Sequence, residues 1–288
     1  MAWLFLSLTC AFAWATTDAL SKRLFSHLNV YEMAAIRLLY GAPFLFLILL
    51  LSPVPPLDNT FFKTIVILLP LETVALFLYI RAIRISPLSL SMPFLAFTPL
   101  FLIFTGLLFL KEIPNRWGAM GILLMVFGSY WLNLDKRAGG AFYPFKAILR
   151  EEGSWLMLIV SFIYAFTSAL GKLAIMHSSP IFFGCSFMLL HALLLMIFLP
   201  IAGKVHISKL LFNPWRGLAV GICYVVMIIT HMYAISLVEA VYMISIKRTS
   251  PIFGVLYGLI LFKEKAIGWR LIGTSLIVAG AIAITVFG

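Results

Sequence analysis

Glu72, Lys247 and Arg248 each interrupt a long apolar stretch of the sequence. An ionisable group in a hydrocarbon layer costs about 2.5–3.5 kcal/mol even on a lenient insertion scale, so each needs a reason to be there. Two cations and one carboxylate leave one net positive charge, which suits capture of an anion. The planar fork of Arg248 grips a carboxylate or phosphate through two parallel bonds, which a Lys cannot copy. The competing chemistry is purely structural: Glu72 clamped to one of the cations, holding two helices together. Tyr79 follows Glu72 by seven residues and so shares its helical face, and Tyr224 and His231 repeat that spacing. Together with Trp14 they form a set of polar and aromatic groups that either lines a ligand cavity or bonds helices to one another. His191 falls within another apolar run, as a proton relay or a packed side chain. Asp18 and Arg37 flank the first loop, as an ion pair or gate.

Other chemistries lack their residues. There is no His-Glu-x-x-His, no Gly-x-Ser-x-Gly, no paired acidic motif and no phosphate-binding Gly-Lys-Ser/Thr loop. An intramembrane enzyme or a nucleotide-driven pump is therefore not expected, nor any metal or cofactor. Cys10, Cys185 and Cys223 lie in apolar runs without ligand spacing and read as packing residues.

The elements that position these residues follow from composition. The chain is 63% hydrophobic and 11% charged, against about 25% charged in soluble domains. Its solvent is lipid. The net charge of +11 comes with no nucleic-acid motif, so nucleic acid is not an expected partner. Ten segments reach the roughly 20 apolar residues that a spanning helix needs. They are Ala2–Leu20, Met33–Leu51, Thr64–Arg84, Leu88–Leu110, Trp117–Leu134, Ser154–Ala174, Ile181–Ala202, Trp215–Ser236, Ala240–Phe262 and Trp269–Phe287. The expected fold is an all-α membrane protein of ten transmembrane helices in two inverted five-helix repeats, 1–135 and 154–288. A linker at 136–153 joins them, and its Phe142, Tyr143, Phe145, Ile148 and Leu149 suit a membrane surface. The apolar N-terminus has no basic residue before it and reads as a retained helix rather than a cleaved leader.

The repeat is visible in the residues themselves. Pro99 and Pro251, Gly106 and Gly258, Lys111-Glu112 and Lys263-Glu264, Trp117 and Trp269, Gly121 and Gly273, and Gly128 and Gly280 are all 152 positions apart. Ala19-Leu-Ser-Lys22 echoes Ala169-Leu-Gly-Lys172 at a slightly different offset. An odd number of spans per copy inverts the second copy, a recurring design of secondary transporters. Pro93, Pro99 and Pro251 weaken the helices that carry them and mark hinges. By span counting, Glu72, Lys247 and Arg248 lie roughly 10–12 Å below one surface. Lys and Arg crowd the odd-numbered loops and are sparse in the even ones, which places odd loops in the cytoplasm and both termini outside.

A proline in the fourth span of each half, then Gly106 or Gly258, then Lys-Glu, resembles the EamA-type transporters of the drug/metabolite transporter superfamily. The resemblance covers essentially the whole chain. It implies two inverted five-helix repeats and a central cavity lined mainly by the first, third and fourth helices of each half. It also implies transport of small metabolites or drugs without ATP. Lys247-Arg248 departs from the plainer pattern, since the first half has Leu95-Ala96 there. The sequence thus reads as a secondary active or facilitative transporter of a small polar, anionic metabolite in a bacterial-type plasma membrane. Proton coupling through Glu72 and unfuelled exchange both fit, as do a monomer and a homodimer. The alternatives are an exporter of hydrophobic or cationic drugs, with Glu72 as the cation's partner, and a membrane scaffold that moves nothing.

Overall fold

The computed structural model describes residues 2–86, 91–132, 151–262 and 268–287. Among these residues every regular element is helical. The first half contributes α1 (Ala2–Phe25), α2 (Val30–Leu50), α3 (Asn59–Ile85), a 3₁₀ segment (Met92–Phe97), α4 (Thr98–Leu110) and α5 (Arg116–Leu132). The second contributes α6 (Glu152–Met176), α7 (Pro180–Ile201), the short α8 (Ile207–Leu211), α9 (Pro214–Leu237), α10 (Ala240–Lys247), α11 (Ser250–Phe262) and α12 (Gly268–Phe287).

Six of these helices, α1, α2, α3, α6, α7 and α9, are long and apolar enough to cross a membrane. Residues 94–110 and 272–287 form shorter apolar helical stretches. Local chemistry sets the ends. Asp58 caps α3 by accepting from the Phe61 N–H at 3.0 Å, Ser179 caps α7, and Asn29 with Glu32 forms a reciprocal capping box on α2.

The boundaries differ from the expected spans in two informative ways. α3 starts at Asn59 rather than Thr64, because the Asp58 cap adds a turn; Glu72 is then further from that helix end than span counting placed it. The span drawn over Ala240–Phe262 is broken into α10 and α11. Pro251 has no N–H to give the Lys247 carbonyl, so the ladder stops there and the Thr249 N–H turns back to the Ile246 carbonyl at 3.0 Å. The first half breaks at the matching place, where the 3₁₀ segment meets α4 beside Pro99. The expected surface-lying residues Phe142 to Leu149, and Lys263-Glu264, lie outside the described residues.

Glycine sets the closest helix approach. A Cβ on Gly121 would lie 2.7 Å from the Gly280 carbonyl oxygen, and one on Gly128 would lie 2.6 Å from that of Gly273. Residue numbers rise along α5 while their partners fall along α12, so the fifth helices of the two halves cross antiparallel. Other contacts exchange in the same way: α1 packs on α9 as α6 packs on α3, and α4 packs on α6 as α11 packs on α1. The seam of α2 does not. α2 packs closely on α9, whereas its counterpart α7 barely touches α3.

Candidate functional site

Between the halves lies a cavity of about 110 Å³. Trp14, Asp18, Arg37, Glu72, Tyr224, His191, His231, Lys247 and Arg248 all line it. Helices α1, α2, α3, α7 and α9, together with the α10–α11 break, thus bring most of the sequence-derived candidates to one place. Tyr79 does not line it. Its hydroxyl stands behind Trp14, donating to the Asp18 carboxylate and accepting from the Trp14 Nε1–H at 2.5 Å. Arg37 completes the chain by pairing with Asp18 at 3.3 Å. Pro99 is buried at the start of α4. Pro93 lies in the 3₁₀ segment and Pro251 in the first turn of α11. All three adjoin backbone breaks.

Arg248 occupies the helix break as the residue capping α10, and it is 2% exposed. Among the described residues no carboxylate lies within 4.0 Å of Arg248 or Lys247, and the ion pairs are Arg37–Asp18, Arg81–Glu152, Lys172–Glu112, His177–Asp58 and Lys209–Glu32. The Glu72 clamp is therefore not formed by direct contact in this structure; the Thr167 hydroxyl lies beside the Glu72 carboxyl. Arg248 instead stacks near Trp14 and Tyr164, at 5.5 and 5.6 Å from their ring centroids. Its Nε and Nη1 are buried without a hydrogen-bond partner among the described residues. Cation–π contacts stabilise by about 2 kcal/mol or somewhat more when desolvated, against several kcal/mol for burying an ion. The guanidinium is left with donors and charge unspent.

Lys247 has closer company. Its ammonium is 3.8 Å from the Trp14 ring centroid and 3.1 Å from His231 Nδ1. A charged ammonium has no acceptor, so His231 Nδ1 accepts, and its Nε2 carries the proton of the neutral ring. Of the lining ions, Asp18 is matched by Arg37, and Lys172 by Glu112 behind it. Glu72, Lys247 and Arg248 remain, one net positive charge.

Sequence reasoning missed Tyr164, Thr167 and the Lys172–Glu112 pair. The signal was present. The offset of 150 that relates Lys22 to Lys172 also relates Trp14 to Tyr164 and Thr17 to Thr167. Trp14 and Tyr164 face each other edge to face at 5.9 Å, one from each half. Lys172 donates to the Val238 carbonyl and Lys22 to the Ser86 carbonyl, again repeat mates. Glu112 is aimed by its neighbour: Lys111 adopts a left-handed backbone, φ 57°, which ends α4. The Glu112 carboxylate then pairs with Lys172 and accepts the Ala240 N–H at 2.8 Å, capping α10.

A charged cavity enclosed by long apolar helices defines a multi-pass membrane protein of the transporter class. The profile of the EamA-like transporter family matches residues 1–134 and again 152–286, and the chain belongs to that family, part of the drug/metabolite transporter superfamily. A search of curated proteins finds no match. One crystal structure of another protein aligns at a TM-score of 0.70 with 16% identity, covering 98% of this chain and 96% of its own; that likeness is one of fold.

Proposed function

We propose that the protein is a secondary active or facilitative transporter of a small anionic metabolite, spanning the plasma membrane ten times with both termini outside. The observation that carries this reading is Arg248: buried, lining the cavity, with two donor nitrogens unpaired and no carboxylate in contact among the described residues. An anion that accepts from Nε and Nη1 supplies what the protein withholds. Lys247 and the His231 Nε2–H add donors, and Glu72 trims the site to one net positive charge. A drug cation would meet that excess as repulsion, so the anionic reading is preferred to cation export.

Alternating access is supported by the unequal seams. Gly217 and Gly221 let Tyr40 sit directly on the α9 backbone, since a Cβ on either would come within 2.2 or 2.5 Å of it. That closes α2 on α9. The mate seam, α7 against α3, touches through the Thr73–His191 bond at 3.0 Å and the rings of Phe61, Phe182 and Phe183. In the opposite state α7 closes on α3 and α2 leaves α9, with the breaks at Pro99 and Pro251 as hinges.

The test is thermal stabilisation of purified protein by a panel of carboxylates, phosphates and sulfonates, since a ligand that binds the folded state raises the melting temperature. Wild type is expected to respond to at least one anion, Arg248→Lys to respond less and Arg248→Gln not at all. An unchanged response in Arg248→Gln contradicts the anion site.

A further inference from the structure

The cavity is built of two unlike parts. Its polar part holds Arg248, Lys247 and Glu72. Its other part runs toward the ends of α6 and α9 and the start of α7, where Ile175, Ile235, Met232 and Phe183 face it. Phe183, Phe187 and His191 follow at intervals of four on α7 and form a stripe of rings, with centroids 5.5 and 6.2 Å apart. Arg248 lies eight residues beyond the start of α10 and Phe183 three beyond the start of α7. At 1.5 Å per residue this leaves roughly 7 Å of apolar wall between the charged end and that surface.

Several hydrogen-bonding groups along this wall are already engaged. His191 bonds Thr73 at 3.0 Å, the Tyr224 hydroxyl donates to the Met188 sulfur at 3.4 Å, and Lys172 is held by Glu112 and the Val238 carbonyl. Trp14 has spent its one N–H on Tyr79. A polyol lying here would bury more hydroxyls than the wall has free partners for, each one left over weakening binding by roughly tenfold. A hydrocarbon body would lose nothing. The whole cavity, about 110 Å³, is smaller than the apolar cavity of about 150 Å³ that takes up benzene, which limits the body to one ring at most.

Resting on the anion-site reading above, we propose that the site takes an amphipathic organic anion: a single carboxylate-type head at Arg248 and Lys247, with an unsubstituted hydrocarbon body about one ring in size along Phe183, Phe187 and Met232. Hydroxyl-rich anions are disfavoured.

Four probes on the wild-type protein in lipid nanodiscs test this by titration calorimetry: phenylacetate, acetate, glycerol phosphate and the uncharged 2-phenylethanol. Phenylacetate is expected to bind at least tenfold more tightly than each of the other three. Among straight-chain carboxylates, each added methylene should tighten binding by about fourfold until the wall is filled. Phe187→Leu should weaken phenylacetate while leaving acetate unchanged. If acetate or glycerol phosphate matches phenylacetate and Arg248→Gln abolishes their binding, the hydrocarbon-body proposal is overturned and the anion site stands. If 2-phenylethanol matches phenylacetate and Arg248→Gln changes neither, the anion site itself is overturned. Absence of binding by all four overturns both.

Discussion

At the scale of residues, the chain Arg37–Asp18–Tyr79–Trp14 is a device for holding one ring still. Trp14 has no other anchor for its N–H, and both Lys247 and Arg248 lie over its face. Tyr79 thus touches Trp14 and Asp18 rather than the cavity, although its spacing from Glu72 pointed to the cavity. The clamp and binding readings of Glu72 now predict different couplings. Breaking a buried ion pair from one side costs about 3–5 kcal/mol, most of which a second removal restores. With Glu72 outside contact of either cation, a double-mutant cycle of Glu72→Gln and Arg248→Gln should give a stability coupling well below that, under about 1 kcal/mol. Chemical denaturation of the four proteins measures it; a coupling of about 3 kcal/mol would restore the clamp. Glu72, Lys247 and Arg248 were legible because charge in apolar sequence is conspicuous. Phe183, Phe187 and Met232 were not, since an apolar side chain facing a cavity reads the same as one facing lipid.

Helices and their ends carry a second layer of information. The breaks at Pro99 and Pro251 were visible as prolines. That Arg248 would sit at the break, its N–H groups aimed inward, depended on where the ladder fails and was not. Pro251→Ala restores the missing N–H and should join α10 to α11. The expected result is an unchanged or higher melting temperature with transport per folded molecule reduced at least tenfold; full activity would remove the hinge role. The cap on α10 makes a pH-dependent prediction. Burial pushes the Glu239 carboxyl above the usual carboxylate range, and neighbouring Glu112 pushes the same way against the pull of Lys172. A carboxyl with a raised folded pKa disfavours the folded state when ionised, so the penalty is present above that pKa and vanishes as pH falls below the unfolded value, about 4.3. Glu239→Gln should therefore raise the melting temperature at pH 8 and match wild type near pH 4. A variant less stable than wild type at pH 8 would show that the carboxylate is held favourably. Glu112 and Lys172 entered the sequence reading only as repeat markers, because their partnership spans α4, α6 and α10 and no local pattern reports it.

For the whole molecule, the repeat explains the frame and its exceptions explain the chemistry. Gly121, Gly128, Gly273 and Gly280, the paired lysines Lys22 and Lys172, and the facing rings Trp14 and Tyr164 obey the two-fold relation. Lys247-Arg248 against Leu95-Ala96, and Glu72 against Tyr224, break it. The duplication was legible because Pro, Gly and Trp keep one register. The inequality of the α2–α9 and α7–α3 seams was not, since it depends on how distant helices pack and no local pattern reports it. That inequality is what the proposed alternating access expects of a molecule closed on one side, and Glu72, Lys247 and Arg248 are the ions left over in its cavity. The most direct measurement is exchange across proteoliposomes: uptake of a labelled anion that stabilises the protein, driven by the same anion trapped inside, at matched folded protein. Wild type should exchange it, Arg248→Lys at least tenfold more slowly and Arg248→Gln not above protein-free liposomes. Exchange by Arg248→Gln at the wild-type rate would contradict the account.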